Sequence, residues 1–286
     1  MAERVVHANG VEICTEPFGD HSNPPVLLVP GLGGSMLWWD EAFCALLAGV
    51  GRFVIRYDQR DTGRSVTCAP GRPDYTGADM VADAAGVLDA YGLEAAHVVG
   101  VSAGGALAQV LAIDHPDRVL SLVLISTSPA VGDDRGPLEG PTAELMRFIG
   151  TPPPEIADRD AFAGYLVGYL RVLSGGQRPF DERFARDLVR RDMARALSYA
   201  STRNHELIDG AVPRGPISAI TAPTLVVHGT ADPMFPPEHG EALARAIPGS
   251  QLLLLDGAGH GVEPADWETL AGAIAGHTVR GYRPSS

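Results

Sequence analysis

Lysine is missing from the chain: all 22 basic residues among the 286 are arginines. No lysine side chain can then form a Schiff base with a carbonyl substrate, so that form of covalent catalysis is excluded. Cysteine is nearly missing too. Cys14, Cys44 and Cys68 are odd in number, far apart and without a C-x-x-C pair. Neither a disulfide framework nor a zinc site is expected of them, and they read as small buried apolar residues. There is no H-E-x-x-H, no clustered Cys/His set and no G-K-S/T phosphate loop, so the expectation is no metal and no other cofactor. Long apolar runs are lacking as well. The most apolar long window, 95–113, is broken by His97, Ser102 and Gln109, and the opening MAERVV has no apolar signal core. A cytoplasmic protein without a membrane partner is expected. Positive charge is in deficit, with a formal net charge of −13, which argues against nucleic acid and anionic membranes as partners.

What is present alternates. Arg4 to Ala8 and Val11 to Pro17 read as strands around Asn9-Gly10, a two-residue hairpin signal. Short apolar runs at Val26–Val29, Phe53–Tyr57, His97–Val101, Val119–Ile125, Thr224–His228 and Gln251–Leu255 read as buried strands. Helical spacing separates them: Trp39, Phe43, Leu46 and Leu47; Met80, Ala84, Val87 and Leu88; Leu107, Val110 and Leu111; Leu243, Ala246 and Ile247; Trp267, Leu270, Ala271 and Ile274. Parallel neighbours need helical crossovers, so the chain predicts an α/β fold with a mostly parallel, doubly wound sheet and an antiparallel N-terminal hairpin.

The alternation stops at Pro129 and resumes near Pro216. Between them Thr151-Pro152-Pro153-Pro154 and Gly175-Gly176 divide helical segments, which predicts a helical cap over 130–216 inserted into a core made of 1–129 and 217–286. Its stripe of Phe162, Tyr165, Leu166, Tyr169, Leu170 and Leu173 is too wide to leave in water. From Arg178 to Arg195, arginines and acids interleave at i,i+3 and i,i+4 spacing, the pattern of a solvated helix face.

Chemistry concentrates at Gly100-Val101-Ser102-Ala103-Gly104, a G-x-S-x-G where the apolar period changes from strand to helix. Small neighbours let the chain turn sharply and hold the hydroxyl above the sheet, and the helix N-terminus starting near Ala103 favours a developing negative charge. The loop Pro30-Gly31-Leu32-Gly33-Gly34 is the candidate for the other half of an oxyanion hole. A serine nucleophile needs a base, and the base needs an acid to hold its tautomer. Asp232 and His260 lie at strand ends in the chain order Ser, Asp, His, and His260 stands between Gly259 and Gly261. The rival acid Asp256 reads as a turn brace, and His228, His239, His115 and His205 read as structural or surface residues.

Taken together, PGLGG, YDQRDTGRS, GVSAG, HGTADP and GAGHG, in this order and spacing, make the chain resemble the α/β-hydrolase superfamily over nearly its whole length. VVHANGVEI, FGD, RYDQRDTGRS and RVLSGGQRPFD look like the aclacinomycin methylesterase group, whose members remove a methyl ester from an anthracycline polyketide. The resemblance implies Ser102 as nucleophile, Asp232 as acid, His260 as base, and the backbone N–H groups of Leu32 and Ala103 as oxyanion hole. Two departures alter the acyl pocket: Ala103 stands where the group carries methionine, and Trp38 and Trp39 follow the glycine loop closely.

The expected function is a cofactor-free serine carboxylesterase acting on small to medium hydrophobic esters under the cap. Polyketide methyl-ester hydrolysis, a perhydrolase or C–C hydrolase on the same fold, and a non-hydrolytic ligand receptor are the alternatives. Trp38, Trp39, Phe148, Phe162, Tyr165 and Tyr169 are the candidate pocket walls, with packing of the cap as their other reading.

Overall fold

In the computed structural model, residues 2–130 and 138–278 are described. Residues 131–137, the first stretch of the expected cap, lie outside them. Asn9 and Gly10 take left-handed backbone angles, φ 48° and 78°, and fold β1 (Arg4–Ala8) onto β2 (Val11–Phe18) with Ala8 opposite Val11. β2 pairs antiparallel with β4 (Phe53–Tyr57). From there the sheet is parallel, through β3 (Pro25–Val29), β5 (Ala96–Val101), β6 (Val119–Ile125), β7 (Thr224–Gly229) and β8 (Gln251–Leu255). The order across the eight described strands is β1-β2-β4-β3-β5-β6-β7-β8.

Both faces are covered, which is why the strands read as unbroken apolar runs rather than alternating ones. Leu27, Val98, Leu122, Leu124 and Val226 pack with α2 (Gly77–Ala90), α3 (Ala103–Asp114) and α7 (Glu238–Ala246). Their neighbours Val26, Leu28, Val99, Val123, Ile125, Leu225 and Val227 pack on the other face with α1 (Glu41–Gly49) and α8 (Trp267–Thr278). The period of two thus sorts each strand into two cores, and each fully buried aliphatic side chain contributes about 1.5–3 kcal/mol.

The last strand corrects the sequence expectation. β8 is the edge of the sheet of described strands, and Leu252 and Leu254 are 38% and 43% exposed. Its other face behaves as expected, with Leu253 and Leu255 packed against the α8 side. A second difference is at Trp39. It precedes α1, whose N-cap is Asp40, and its side chain is buried in the core with Phe43.

Between β6 and β7 the described residues form no strand. They form α4 (Ala143–Ile149), α5 (Arg159–Leu173), α6 (Glu182–Arg195) and two 3-10 stretches, Tyr199–Glu206 and Ile217–Ala219. Phe162, Val167, Ala185, Val189 and Met193 give this segment an apolar cluster of its own. The exposed side of α6 carries Arg186–Glu182 and Arg191–Asp187 pairs. Its inner side departs from a purely solvated face: Asp192 and Arg195 turn toward the sheet, and Arg195 meets Asp58 at 2.7 Å and Glu3 at 2.7 Å.

The chain leaves β3 in one direction along the sheet, to β4, and then returns to lay β5 on its other side. A crevice at the carboxyl ends of two such strands is where ligands bind in open α/β sheets. The loops after β3 and β5 are the glycine loop and Ser102.

Candidate active site

Ser102 takes φ 54° and ψ −124°, angles that non-glycine residues rarely adopt. Its backbone is held there from both sides. The Ser102 N–H donates to the Ile125 carbonyl at 2.9 Å, and its own carbonyl accepts the Gly105 N–H at 2.9 Å as α3 begins. Closeness of backbone explains the flanking glycines: a Cβ at Gly100 would lie 2.4 Å from the Gly104 oxygen, and one at Gly104 would lie 2.3 Å from the Pro30 oxygen.

The structure brings the three separated candidates together. The Ser102 hydroxyl lies 2.9 Å from His260 Nε2, and His260 Nδ1 lies 2.8 Å from Asp232 Oδ2. With the Nδ1 proton donated to the carboxylate, Nε2 is left as the acceptor facing the hydroxyl. Asp232 Oδ1 accepts the backbone N–H groups of Met234 and Phe235 at 2.8 and 2.9 Å. Burial alone would push the Asp232 carboxyl up. The His260 charge and hydrogen bond and the Phe235 N–H outweigh it, so that the carboxyl titrates below its ordinary 3.8 and stays ionised.

Surrounding groups hold Asp232 and His260 in place. The His260 backbone N–H donates to the Leu173 carbonyl at 2.8 Å, which ties this loop to the end of α5, and Phe235 sets its ring edge-on to the imidazole at 5.5 Å. His228, buried in β7, donates from Nε2 to the Phe235 carbonyl at 2.7 Å and so braces the turn that feeds Asp232. Asp256, the rival acid, is exposed; its Oδ1 lies 3.5 Å from the Thr230 hydroxyl.

Leu32 and Ala103 line one cavity of about 190 Å³ beside Ser102, together with Met80, Leu107, Ile208 and His205 among others. Among the described residues, neither the Leu32 nor the Ala103 N–H donates a hydrogen bond, so both are available to an oxygen placed between them. Such a pair stabilises an oxyanion by electrostatics prepared in advance.

The six aromatic candidates lie elsewhere. Trp39 is core, Phe162 is in the cluster between α5 and α6, and Trp38 donates its indole N–H to Asp192 at 2.9 Å. Phe148 packs its ring on Tyr165 and Tyr169 at 5.0 and 5.8 Å, joining α4 to α5. None of the six is among the residues that line the cavity with Leu32 and Ala103. The lining residues that sequence reasoning missed, Met80, Leu107 and Ile208, carried no signal beyond their place in an apolar face.

The loop 58–65 is braced as its mixture of acids and arginines suggests. Asp58 accepts the Met36 and Arg64 N–H groups, Arg60 pairs with Asp83 at 2.6 Å, and Asp61 accepts from Tyr75 and Asn204. Two of the three cysteines are buried as expected, and burial pushes the Cys14 and Cys44 thiols up to about 12. Cys68 differs, being partly exposed beside Asp74.

The described residues contain no helix long and apolar enough to cross a membrane. Comparison with known proteins places the chain among relatives. The chain is 33% identical to rhodomycin D methylesterase DnrP of Streptomyces peucetius, across 97% of this chain and 98% of that one. It is 34% identical to rhodomycin D methylesterase DauP of Streptomyces sp. strain C5, with the same coverage. An esterase structure from Exiguobacterium antarcticum superposes with a TM-score of 0.78 at 21% identity, covering 97% of this chain and 100% of that one, a likeness of fold. Residues 24–262 match the family described as the alpha/beta hydrolase fold, and it is to this family that the chain belongs.

Proposed function

We propose that the chain is a serine carboxylesterase that hydrolyses small to medium hydrophobic esters without a cofactor. The observation that carries the proposal is the continuous relay from Asp232 through His260 to the Ser102 hydroxyl, at 2.8 and 2.9 Å. His260 takes the hydroxyl proton as Ser102 attacks the ester carbonyl, and Asp232 stabilises the imidazolium that forms. The N–H groups of Leu32 and Ala103 hold the tetrahedral oxyanion. As the intermediate collapses, His260 gives its proton to the departing alcohol and leaves an acyl-enzyme on Ser102. Water, deprotonated by the same imidazole, then attacks the acyl group, and the acid departs as the serine regains its proton.

The cavity beside Leu32 and Ala103 supports a short apolar acyl group. Its volume of about 190 Å³ is small against the 300–1,000 Å³ usual for drug-sized ligands, and its lining, apolar apart from Gln59 and His205, includes no arginine, aspartate or glutamate. Residues 130–216 act as the cap of a core formed by 1–129 and 217–286, and they close the site with the Tyr199–Glu206 stretch.

A second reading, hydrolysis of the methyl ester of an aromatic polyketide, is favoured by the identity to DnrP and DauP along nearly the whole chain. One panel separates the two: initial rates on 4-nitrophenyl esters of increasing acyl length, alongside an anthracycline-type methyl ester. Short and medium acyl esters are expected to turn over and to lose all turnover in Ser102→Ala. Turnover confined to the polyketide ester would support the second reading. No Ser102-dependent turnover of any ester would leave a binding role.

A further inference from the structure

We infer that His205, on the 3-10 stretch Tyr199–Glu206, is a positioning residue that sets the oxyanion loop from the cap side, an inference that rests on the ester hydrolysis proposed above.

The loop itself is a tight turn. The Gly34 N–H donates to the Gly31 carbonyl at 3.2 Å, and Gly33 has φ 66° while Leu32 is not in the left-handed region. An i to i+3 hydrogen bond with a positive φ only at the third residue is a type II turn. Its middle peptide, between Leu32 and Gly33, can flip to the type I orientation, so the turn alone does not settle where the Leu32 backbone lies. A partner for the Gly33 N–H does settle it. That partner is His205 Nδ1, at 3.0 Å, and it arrives from 172 residues away.

His205 can accept at Nδ1 only as the tautomer with its proton on Nε2, and the second contact selects that tautomer. His205 Nε2 lies 2.7 Å from the Arg60 carbonyl, an acceptor, so the proton sits there. Burial pushes the imidazole below its ordinary 6.5, although the Arg60 carbonyl and the Asp61 carboxylate pull it up, and a neutral ring is what the Gly33 contact needs. Tyr75 closes the remaining side, ring edge to ring face at 6.3 Å.

The residues around His205 hold it rigidly. Asn204, fully buried, donates to Asp61 and to the Ala69 carbonyl and accepts the Gly71 N–H at 2.7 Å. Ser201 donates to the Cys68 carbonyl at 2.8 Å. The stretch therefore sits on the 58–71 loop with its imidazole aimed at the glycine turn. Gly33 meets it face to face, since a Cβ there would come within 3.4 Å of the Thr202 carbonyl oxygen.

The test compares wild type with His205→Leu and His205→Asn. Asparagine can place its amide oxygen where Nδ1 stood, restoring an acceptor for Gly33, whereas leucine cannot. His205→Leu is expected to lower kcat on a 4-nitrophenyl ester about tenfold or more, with KM within about twofold, because the loss falls on the transition state. It should weaken a trifluoromethyl ketone inhibitor, which binds as an oxyanion, by a similar factor, and His205→Asn should recover most of both. Amide exchange over residues 31–36 should rise in His205→Leu and return in His205→Asn, a readout that does not need catalysis. Wild-type kcat or unchanged 31–36 exchange in His205→Leu, or an Asn variant as impaired as Leu, overturns the inference. A wild type that hydrolyses no ester fails the proposed function instead, and the exchange experiment still decides the role of His205.

Discussion

The Trp38 indole N–H donates to Asp192 Oδ2 at 2.9 Å, joining the turn after the glycine loop to α6. Asp192 is buried, and burial pushes its carboxyl above the ordinary 3.8 although hydrogen bonds from Ser35 and Trp38 pull it down. The unfolded chain therefore releases this proton more readily than the folded one. Stability from this group is present at low pH and is lost as pH rises from about 3.8 through the higher folded value.

Asp192→Asn keeps an acceptor for the indole and removes the buried charge. We expect its melting temperature to match wild type near pH 4 and to rise above it toward neutrality, as followed by thermal denaturation at several pH values. Asp192→Ala leaves the indole N–H without a partner and should lie about 1–3 kcal/mol below Asp192→Asn at every pH. Equal stability of Asn and wild type across the range would contradict this account.

Asp232→Asn should keep the fold but let the His260 imidazole adopt the wrong tautomer. By comparison with other serine triads, kcat should fall roughly 10³- to 10⁴-fold with little change in melting temperature. Asp256→Asn, at an exposed turn position, should stay near wild type. Steady-state kinetics on one chromogenic ester checks both, and the reverse ranking would move the acid to Asp256.

Acyl length should follow the space beside Leu32 and Ala103. Met80→Ala enlarges that cavity and is expected to shift the preferred 4-nitrophenyl ester toward longer chains, while Ala106→Leu fills it and should shift the preference toward acetate. Each added methylene that stays buried contributes about 0.8 kcal/mol, so the ratio of kcat/KM between neighbouring chain lengths should move several-fold. Unchanged chain-length profiles in both variants would place the acyl group elsewhere.

His97 on β5 predicts an acid-side weakness. It is fully buried against Ser121, 2.8 Å from its hydroxyl, and burial lowers its pKa from 6.5 to about 4. The unfolded chain takes up the proton first, so stability falls as pH drops below 6.5 and levels off near 4, a loss of about 3 kcal/mol. Urea unfolding at pH 7 and pH 4.5 should show it, and His97→Asn should flatten the difference. An equal pH slope in the variant would remove His97 as the cause.

Much of the sheet was legible because burial on two faces leaves an unambiguous trace, a short apolar run between turn residues. β4, β6 and β8 begin and end where their runs do. What the runs do not carry is position in the sheet: β8 reads like β6 in sequence, yet one is an edge and the other is central. The site divides in the same way. Ser102, Asp232 and His260 were legible because each sits in a glycine- or proline-marked turn at a strand end. The cavity was not, because Met80 on α2 and Ile208, just past the Tyr199–Glu206 stretch, meet only through tertiary packing. The aromatics between β6 and β7 are ambiguous for a related reason. A large ring satisfies a pocket wall and a helix–helix seam equally well, and Phe148, Tyr165 and Tyr169 have one another as partners. In sequence His205 reads as structural or surface, since nothing nearby tells a histidine which distant amide it will meet.

The left-handed backbone of Ser102 has a consequence for how the chain would change under different pressures. A non-glycine residue held at such angles costs about 1–3 kcal/mol, and glycine largely escapes that cost. Ser102→Gly should therefore melt higher than wild type while turning over nothing. A library of variants sorted by heat survival alone would enrich glycine at this position, and one sorted by turnover would purge it. The same codon is pulled in opposite directions, so thermal tolerance is a poor proxy for function in any collection of its descendants.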